Sequence, residues 1–176
     1  MIFVTVGTHE QQFDRLIRAI DDLKSKKIIK DKVFVQTGFS NYKPKYCEYN
    51  DFLSYDEINN KLKHARIIIT HGGPSSFIPA LQLNKIPVVV PRKSEFSEHV
   101  NNHQFEFVKK LEHENAGIIP IYEINDLEKV IKNYNNIIKN MQSLKFNHNK
   151  EFCQEFEKIV NDLNIKNYCN SSNNHV

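Results

Sequence analysis

The chain has 176 residues, enough for one domain with a sizeable core and short of what two domains usually need. Its 24 Lys and Arg stand against 21 Asp and Glu, and the resulting formal charge of +3 is too small to require a nucleic-acid or membrane-surface partner. Three cysteines, Cys47, Cys153 and Cys169, lie far apart, leave an odd one and lack C-x-x-C spacing, which excludes a disulfide framework or zinc knuckle and points to a reducing cytoplasm.

Residues 2–6 open the chain with an apolar β-branched run that predicts a strand. The run lacks a basic leader and is too short for a signal segment, and no later apolar run approaches the ~20 residues of a spanning helix. Phe13, Leu16, Ile17, Ile20 and Leu23 then recur at helical spacing. Residues 33–36 predict a second strand, ended by Thr37-Gly38, and residues 39–52 a loop with a brief strand near 47–49. Ile58, Leu62 and Ala65 step along a short helix over 55–64 that leads into a strand over 66–70. A strand at 87–90 precedes a helix at 102–114 with Phe105, Val108 and Leu111 on one face, stopped by Gly117. Residues 118–122 read as a last strand and 127–141 as a helix. Phe152, Phe156, Ile159, Val160 and Leu163 mark a final amphipathic helix, suited either to closing the domain's own core or to docking on a partner. The Asn- and Ser-rich residues 164–176 are expected to be disordered, leaving a domain over 1–163.

Strands alternating with helices predict an α/β fold, a single Rossmann-like doubly wound and mainly parallel sheet of about six strands. Ligands in such sheets sit beyond the carboxyl ends of the strands, where strand order reverses. The polar residues of this chain fall at those ends: Gly7-Thr8-His9, Gly38-Phe39-Ser40, His71 to Ser76, and Arg92 to Gln104.

The most telling segment is Ile67-Ile68-Ile69-Thr70-His71-Gly72-Gly73-Pro74-Ser75-Ser76. Three β-branched residues suit a strand covered on both faces, and the glycines permit a sharp turn. Pro79 suits the first turn of a helix and so places the helix start near Ser75 or Ser76. Free amides there, the helix dipole, both serine hydroxyls and His71 would form a diphosphate cradle. The same residues also read as an N-cap worth about 1 kcal/mol beside a loop histidine satisfied by its neighbours. His103 and Gln104 combine donors and acceptors suited to sugar hydroxyls, or form an exposed helix start. Glu98 suits ribose hydroxyls or solvent, and His9 beside Glu10 suits a general base or a helix entrance.

Competing chemistries lack their signatures. No G-x-G-x-x-G or G-x-x-x-x-G-K-[ST] loop occurs, and Gly38-Phe39-Ser40-Asn41-Tyr42 lacks the second glycine of a nucleophile elbow. No D-x-D pair offers to hold a metal-bound diphosphate.

His71-Gly72-Gly73-Pro74-Ser75-Ser76, Glu98 through Gln104, Phe3 through His9 and Gln36-Thr37-Gly38, in that company, resemble the carboxyl-terminal, donor-binding half of GT-B glycosyltransferases over residues 1–160. The pattern is most similar to the small subunit of two-component bacterial capsule and exopolysaccharide transferases, related to the catalytic subunit of the dolichol-linked UDP-GlcNAc transferase. The resemblance implies a UDP-sugar donor, no metal or cofactor, and a lipid-linked saccharide acceptor. It also implies a membrane-associated partner that supplies the acceptor half and recruits this chain to the inner membrane face. By position, Gly7, Thr8, Gly38, His71, Gly72, Gly73, Pro74, Ser75 and Ser76 would surround the donor and its diphosphate, Glu98 the ribose, and His103 with Gln104 the sugar. His9 is the candidate base for inverting transfer, a role the partner could equally fill. Many relatives keep a ribose-binding Glu eight residues after the motif histidine, where this chain has Pro79. A non-catalytic donor-binding subunit that regulates a partner is the other reading.

Overall fold

Six short segments pair side by side into one parallel sheet, in a computed structural model that describes residues 1–143. The strands are β1 (Ile2–Thr5), β2 (Val33–Gln36), β3 (Glu48–Asn50), β4 (Ile67–His71), β5 (Val88–Val90) and β6 (Ile119–Pro120). The helices are α1 (Asp14–Ser25), α2 (Tyr55–His64), α3 (Pro74–Gln82), α4 (His103–His113) and α5 (Asp126–Ser143), with a 3₁₀ turn at Ser94–Phe96. The strand order is β3-β2-β1-β4-β5-β6, so the chain starts in the middle, winds to one edge, then returns across β1 to build the other half. This is the doubly wound α/β order, and the reversal between β1 and β4 opens a crevice beyond their carboxyl ends.

Strand side chains alternate between two buried faces. Ile2, Val4, Ile67, Ile69, Val88 and Val90 pack beneath α1 and α5 with Leu16, Ile17, Ile20, Leu127 and Ile131. On the other face Phe3 and Ile68 meet Leu62 and Ala80, and Val89 meets Phe77, Val108 and Leu111. Because helices cover both faces, the strands are apolar throughout rather than alternating, as the run Ile67-Ile68-Ile69 already indicated. The register Ile2↔Ile67 through Thr5↔Thr70 brings the ends of β1 and β4 level, and Thr5↔Gln36 does the same for β2.

Element identities follow the sequence expectation and several ends move. The expected strand at 118–122 pairs only at Ile119–Pro120, and the brief strand near 47–49 lies at Glu48–Asn50. The helix start at Ser75 or Ser76 is corrected: Pro74 occupies the first helical position, Gly73 is the N-cap, and neither serine caps the helix. Pro79 is therefore an interior residue of α3, where its missing N–H leaves the Ser75 carbonyl without its helical donor. Phe105 also departs from the expected face. Phe107, Val108 and Leu111 enter the core, while Phe105 is half-buried with its ring edge-on to Tyr122 at 5.2 Å. The amphipathic stripe from Phe152 to Leu163 and the polar 164–176 segment lie outside the described residues.

Candidate functional site

The loops leaving β1, β2 and β4 surround a cleft of about 490 Å³ at the strand reversal. Its polar lining is Thr5, Gly7, Thr8, His9, Gln36, His71, Ser75, Ser76 and Gln104, and Ile58, Leu62 and Pro79 line it with apolar surface. Seven of the residues singled out from sequence thus meet there although 97 positions separate Gly7 from Gln104.

His71 organises the α3 end of the cleft. As the last residue of β4 it is only 7% exposed, its ring held between two glycines. A Cβ on Gly7 would stand 2.4 Å from its Nε2, and one on Gly73 would stand 2.2 Å from its Cε1. The ring's Nδ1 accepts the Gly73 amide at 2.9 Å, which makes Nε2 the protonated nitrogen that donates to Ser76 Oγ at 2.5 Å. The Ser76 hydroxyl keeps its own proton for a ligand oxygen. Burial, reinforced by the Arg92 charge, pushes the His71 pKa down to about 4, so the ring is neutral at pH 7 and this arrangement holds. Ser75, exposed at the second helical position, adds an amide and a hydroxyl at the positive end of the helix dipole. Histidine therefore shapes this wall by holding Gly73 and Ser76, and the hydroxyls left open toward the cleft are those of the serines.

Gln104 closes the opposite wall. Its Oε1 accepts the Gly72 amide at 3.1 Å and the Arg92 amide at 3.3 Å, which turns its amide nitrogen away from those groups. A Cβ on Gly72 would approach the Gln104 Cβ to 3.1 Å, so α4 can pack this closely only against a bare backbone. Gly38 supports the β1 turn from behind: its φ is +53°, and a Cβ there would lie 2.7 Å from the Gly7 carbonyl oxygen.

His9 stands at the cleft rim. Its Nε2 is 2.9 Å from Gln11 Oε1, an acceptor, so Nε2 carries the proton and Nδ1 is the basic nitrogen. The ring stacks on His99 with centroids 4.8 Å apart and planes 17° from parallel.

Six expected site residues lie outside the cleft lining: Gly38, Gly72, Gly73 and Pro74 belong to the turns and the helix start around it, and Glu98 and His103 stand apart. Glu98 is fully buried, its carboxylate gripping Arg15 through Nε at 2.8 Å and Nη2 at 2.9 Å while accepting the Lys93 amide. Those bonds commit both oxygens and leave a ribose nothing to bind. His103 is exposed at the start of α4, where its amide donates to Asn101 Oδ1.

Sequence reasoning missed the residue that holds the site together. Arg92, fully buried just past β5, donates from Nη1 to the carbonyls of Gln11, Gln12 and Glu98 and from Nη2 to that of Val6. It clamps the loop that carries Gly7, Thr8 and His9. Burial lowers its pKa to about 10, opposed by the Glu98 carboxylate, and it stays charged. An arginine directly after an apolar strand was the available signal, but such a residue is usually a surface cation.

A parallel sheet in this order, with a helix N-terminus facing a cleft at the reversal, is a Rossmann-like half domain of the kind that binds nucleotide donors. Residues 1–163 match the family model described as the glycosyltransferase family 28 C-terminal domain, and the chain belongs to that family, a GT-B donor-binding domain. Among solved structures, the glycosyltransferase SnogD from Streptomyces nogalater is 18% identical over 68% of this chain and 30% of its own, with a TM-score of 0.46. The glycotransferase of kitacinnamycin is 14% identical over 81% of this chain and 37% of its own, with a TM-score of 0.52, and shares the fold. The chain thus spans about a third of the length of these structures. No curated protein matches it.

Proposed function

We propose that this chain is the catalytic, donor-binding component of a two-component glycosyltransferase. It moves a hexose such as galactose from a UDP-sugar to a lipid-linked saccharide acceptor in capsule or exopolysaccharide synthesis. The observation that carries the reading is the pairing of the α3 N-terminus with Ser76, whose hydroxyl is freed for donation by the neutral His71. That arrangement suits the diphosphate of a sugar nucleotide without a metal. The Gln104 amide nitrogen faces the sugar. His9 Nδ1 takes the proton of the acceptor hydroxyl as its oxygen attacks the anomeric carbon from the face opposite the diphosphate. The bond from the anomeric carbon to the phosphate oxygen breaks, and UDP leaves with the electron pair toward the Ser75 amide and the Ser75 and Ser76 hydroxyls.

A second component is part of this proposal. A membrane-associated partner supplies the acceptor half and brings this chain to the inner membrane face; among the described residues no helix is long and apolar enough to cross a membrane.

Thermal unfolding with UDP, ATP and NAD tests the donor assignment. UDP at about 100 times its dissociation constant adds about 2.7 kcal/mol to stability, whereas the other two leave the midpoint unchanged. A missing UDP shift, or an undiminished one in His71→Ala, overturns it. Transfer of sugar to the lipid-linked acceptor with and without the partner distinguishes a catalytic from a merely donor-binding chain, and full turnover by His9→Ala removes that residue as the base.

A further inference from the structure

Two loops meet beside His9, residues 6–13 after β1 and residues 91–102 after β5, and one buried guanidinium holds both. Arg92 Nη1 donates to the carbonyls of Gln11 and Gln12 on the first loop and to that of Glu98 on the second. Two further links cross the same gap. Gln12 Nε2 donates to the Phe96 carbonyl at 2.9 Å, and Arg15 grips the Glu98 carboxylate. Glu98 is thereby the anchor of its neighbour, His99. The His99 ring is fixed in turn, because its Nδ1 accepts the Asn101 amide at 3.3 Å. That ring lies flat on His9, so the imidazole at the cleft rim is held on one edge by Gln11 and on one face by His99.

A base carried on a loop turns about two side-chain bonds, and a turned imidazole presents a carbon where the proton has to go. The bond to Gln11 does not prevent this, since the ring swings about a single N–H direction. A flat neighbour against the ring face removes that freedom. We propose that His99 is the positioning residue for His9, holding its ring plane so that Nδ1 stays turned to the acceptor hydroxyl; this rests on the reading of His9 as the base. An imidazole does this better than an aliphatic side chain of equal bulk. When His9 takes the acceptor's proton it becomes a cation, and a neutral aromatic face against it is attractive. A protonated His99 would instead repel it. Burial pushes the His99 pKa down, and His9 and the Arg92 charge push the same way, so His99 is the ring that stays neutral. The attraction arises as the proton moves, and it therefore belongs to the transition state and not to donor binding.

Sugar transfer by the full chain with its partner tests this in His99→Leu and His99→Phe, with His9→Ala alongside. Leucine has comparable bulk and no flat face, whereas phenylalanine keeps the face and does not titrate. His99→Leu should lower kcat about tenfold or more at an unchanged KM for the UDP-sugar, and His99→Phe should return kcat to within about threefold of the unaltered chain. A merely structural residue would show neither the split between kcat and KM nor the rescue. The His9 ring nitrogens, followed by NMR in the full chain labelled with 15N-histidine, give a readout that needs no partner. They should report one tautomer, protonated at Nε2, in the unaltered chain and in His99→Phe, and averaged shifts in His99→Leu. If the leucine variant does not fold, as circular dichroism would show, His99→Gln takes its place with the same expectations. Undiminished kcat in the ringless variant, a KM that rises as kcat falls, a phenylalanine variant as slow as the leucine one, or averaged shifts in the unaltered chain overturns the role of His99. When His9→Ala is inactive, any of these leaves the base reading standing; full turnover by His9→Ala overturns both.

Discussion

His71 stabilises the fold as a neutral ring, and that makes stability pH-dependent in a definite direction. Its pKa is about 4 when folded and near 6.5 when unfolded, so the unfolded chain takes up the proton first as pH falls. The contribution is complete above about pH 6.5 and is lost on the way down to pH 4, by at most about 3 kcal/mol. Urea unfolding across this range should show the loss, and His71→Gln should flatten it relative to the unaltered chain. Asp21 illustrates a different use of a buried group. Its carboxylate, 1% exposed on α1, accepts the Lys45 and Tyr46 amides and the Tyr42 hydroxyl, each at 2.8 Å. Burial alone would raise its pKa, but these bonds together overcome burial and hold the carboxyl below its usual range. Asp21→Ala strands those donors and should cost about 2 to 4 kcal/mol in denaturant titration. The Asp21 role was not legible in sequence, since one Asp in an amphipathic helix reads as a surface charge.

At the scale of elements, the turn from β1 to α1 depends on its glycine. Gly7 has φ +74°, and any side chain there would collide with His71. Gly7→Ala should therefore lower stability by about 1 to 3 kcal/mol and abolish the UDP-induced shift in unfolding temperature, because the His71 ring must move to admit the methyl group. The helix α2 was readable to its ends. Ser54 and Glu57 form a reciprocal capping box, and Ile58 and Leu62 present the apolar face that walls the cleft. α3 was less readable, because the rule that places proline in a first helical turn was satisfied by Pro74 rather than Pro79. Two prolines in one short helix gave two possible starts, and only packing against Val89 and Ile68 chose between them.

Across the whole molecule, Arg92 joins parts of the chain that sequence separates widely. It sits past β5 and holds the backbone of Val6, Gln11 and Gln12, which leads from β1 into α1. Arg92→Met removes the charge and leaves the carbonyls of Val6, Gln11, Gln12 and Glu98 without this donor, which should cost about 3 kcal/mol or more and weaken UDP binding through displacement of the loop. Lowered urea midpoints together with a smaller UDP shift would confirm it; an unchanged binding constant would confine Arg92 to stability. Sequence alone determined the alternation of strands and helices, the parallel buried sheet and the clustering of polar residues at strand ends, because periodicity and turn chemistry are local properties. Tertiary structure alone decided that Glu98 belongs to Arg15, that His71 serves Gly73 and Ser76, and that His99 stacks on His9. Those outcomes depend on which distant groups meet in space, and a hydrogen bond between residues dozens of positions apart leaves no mark on the spacing of either.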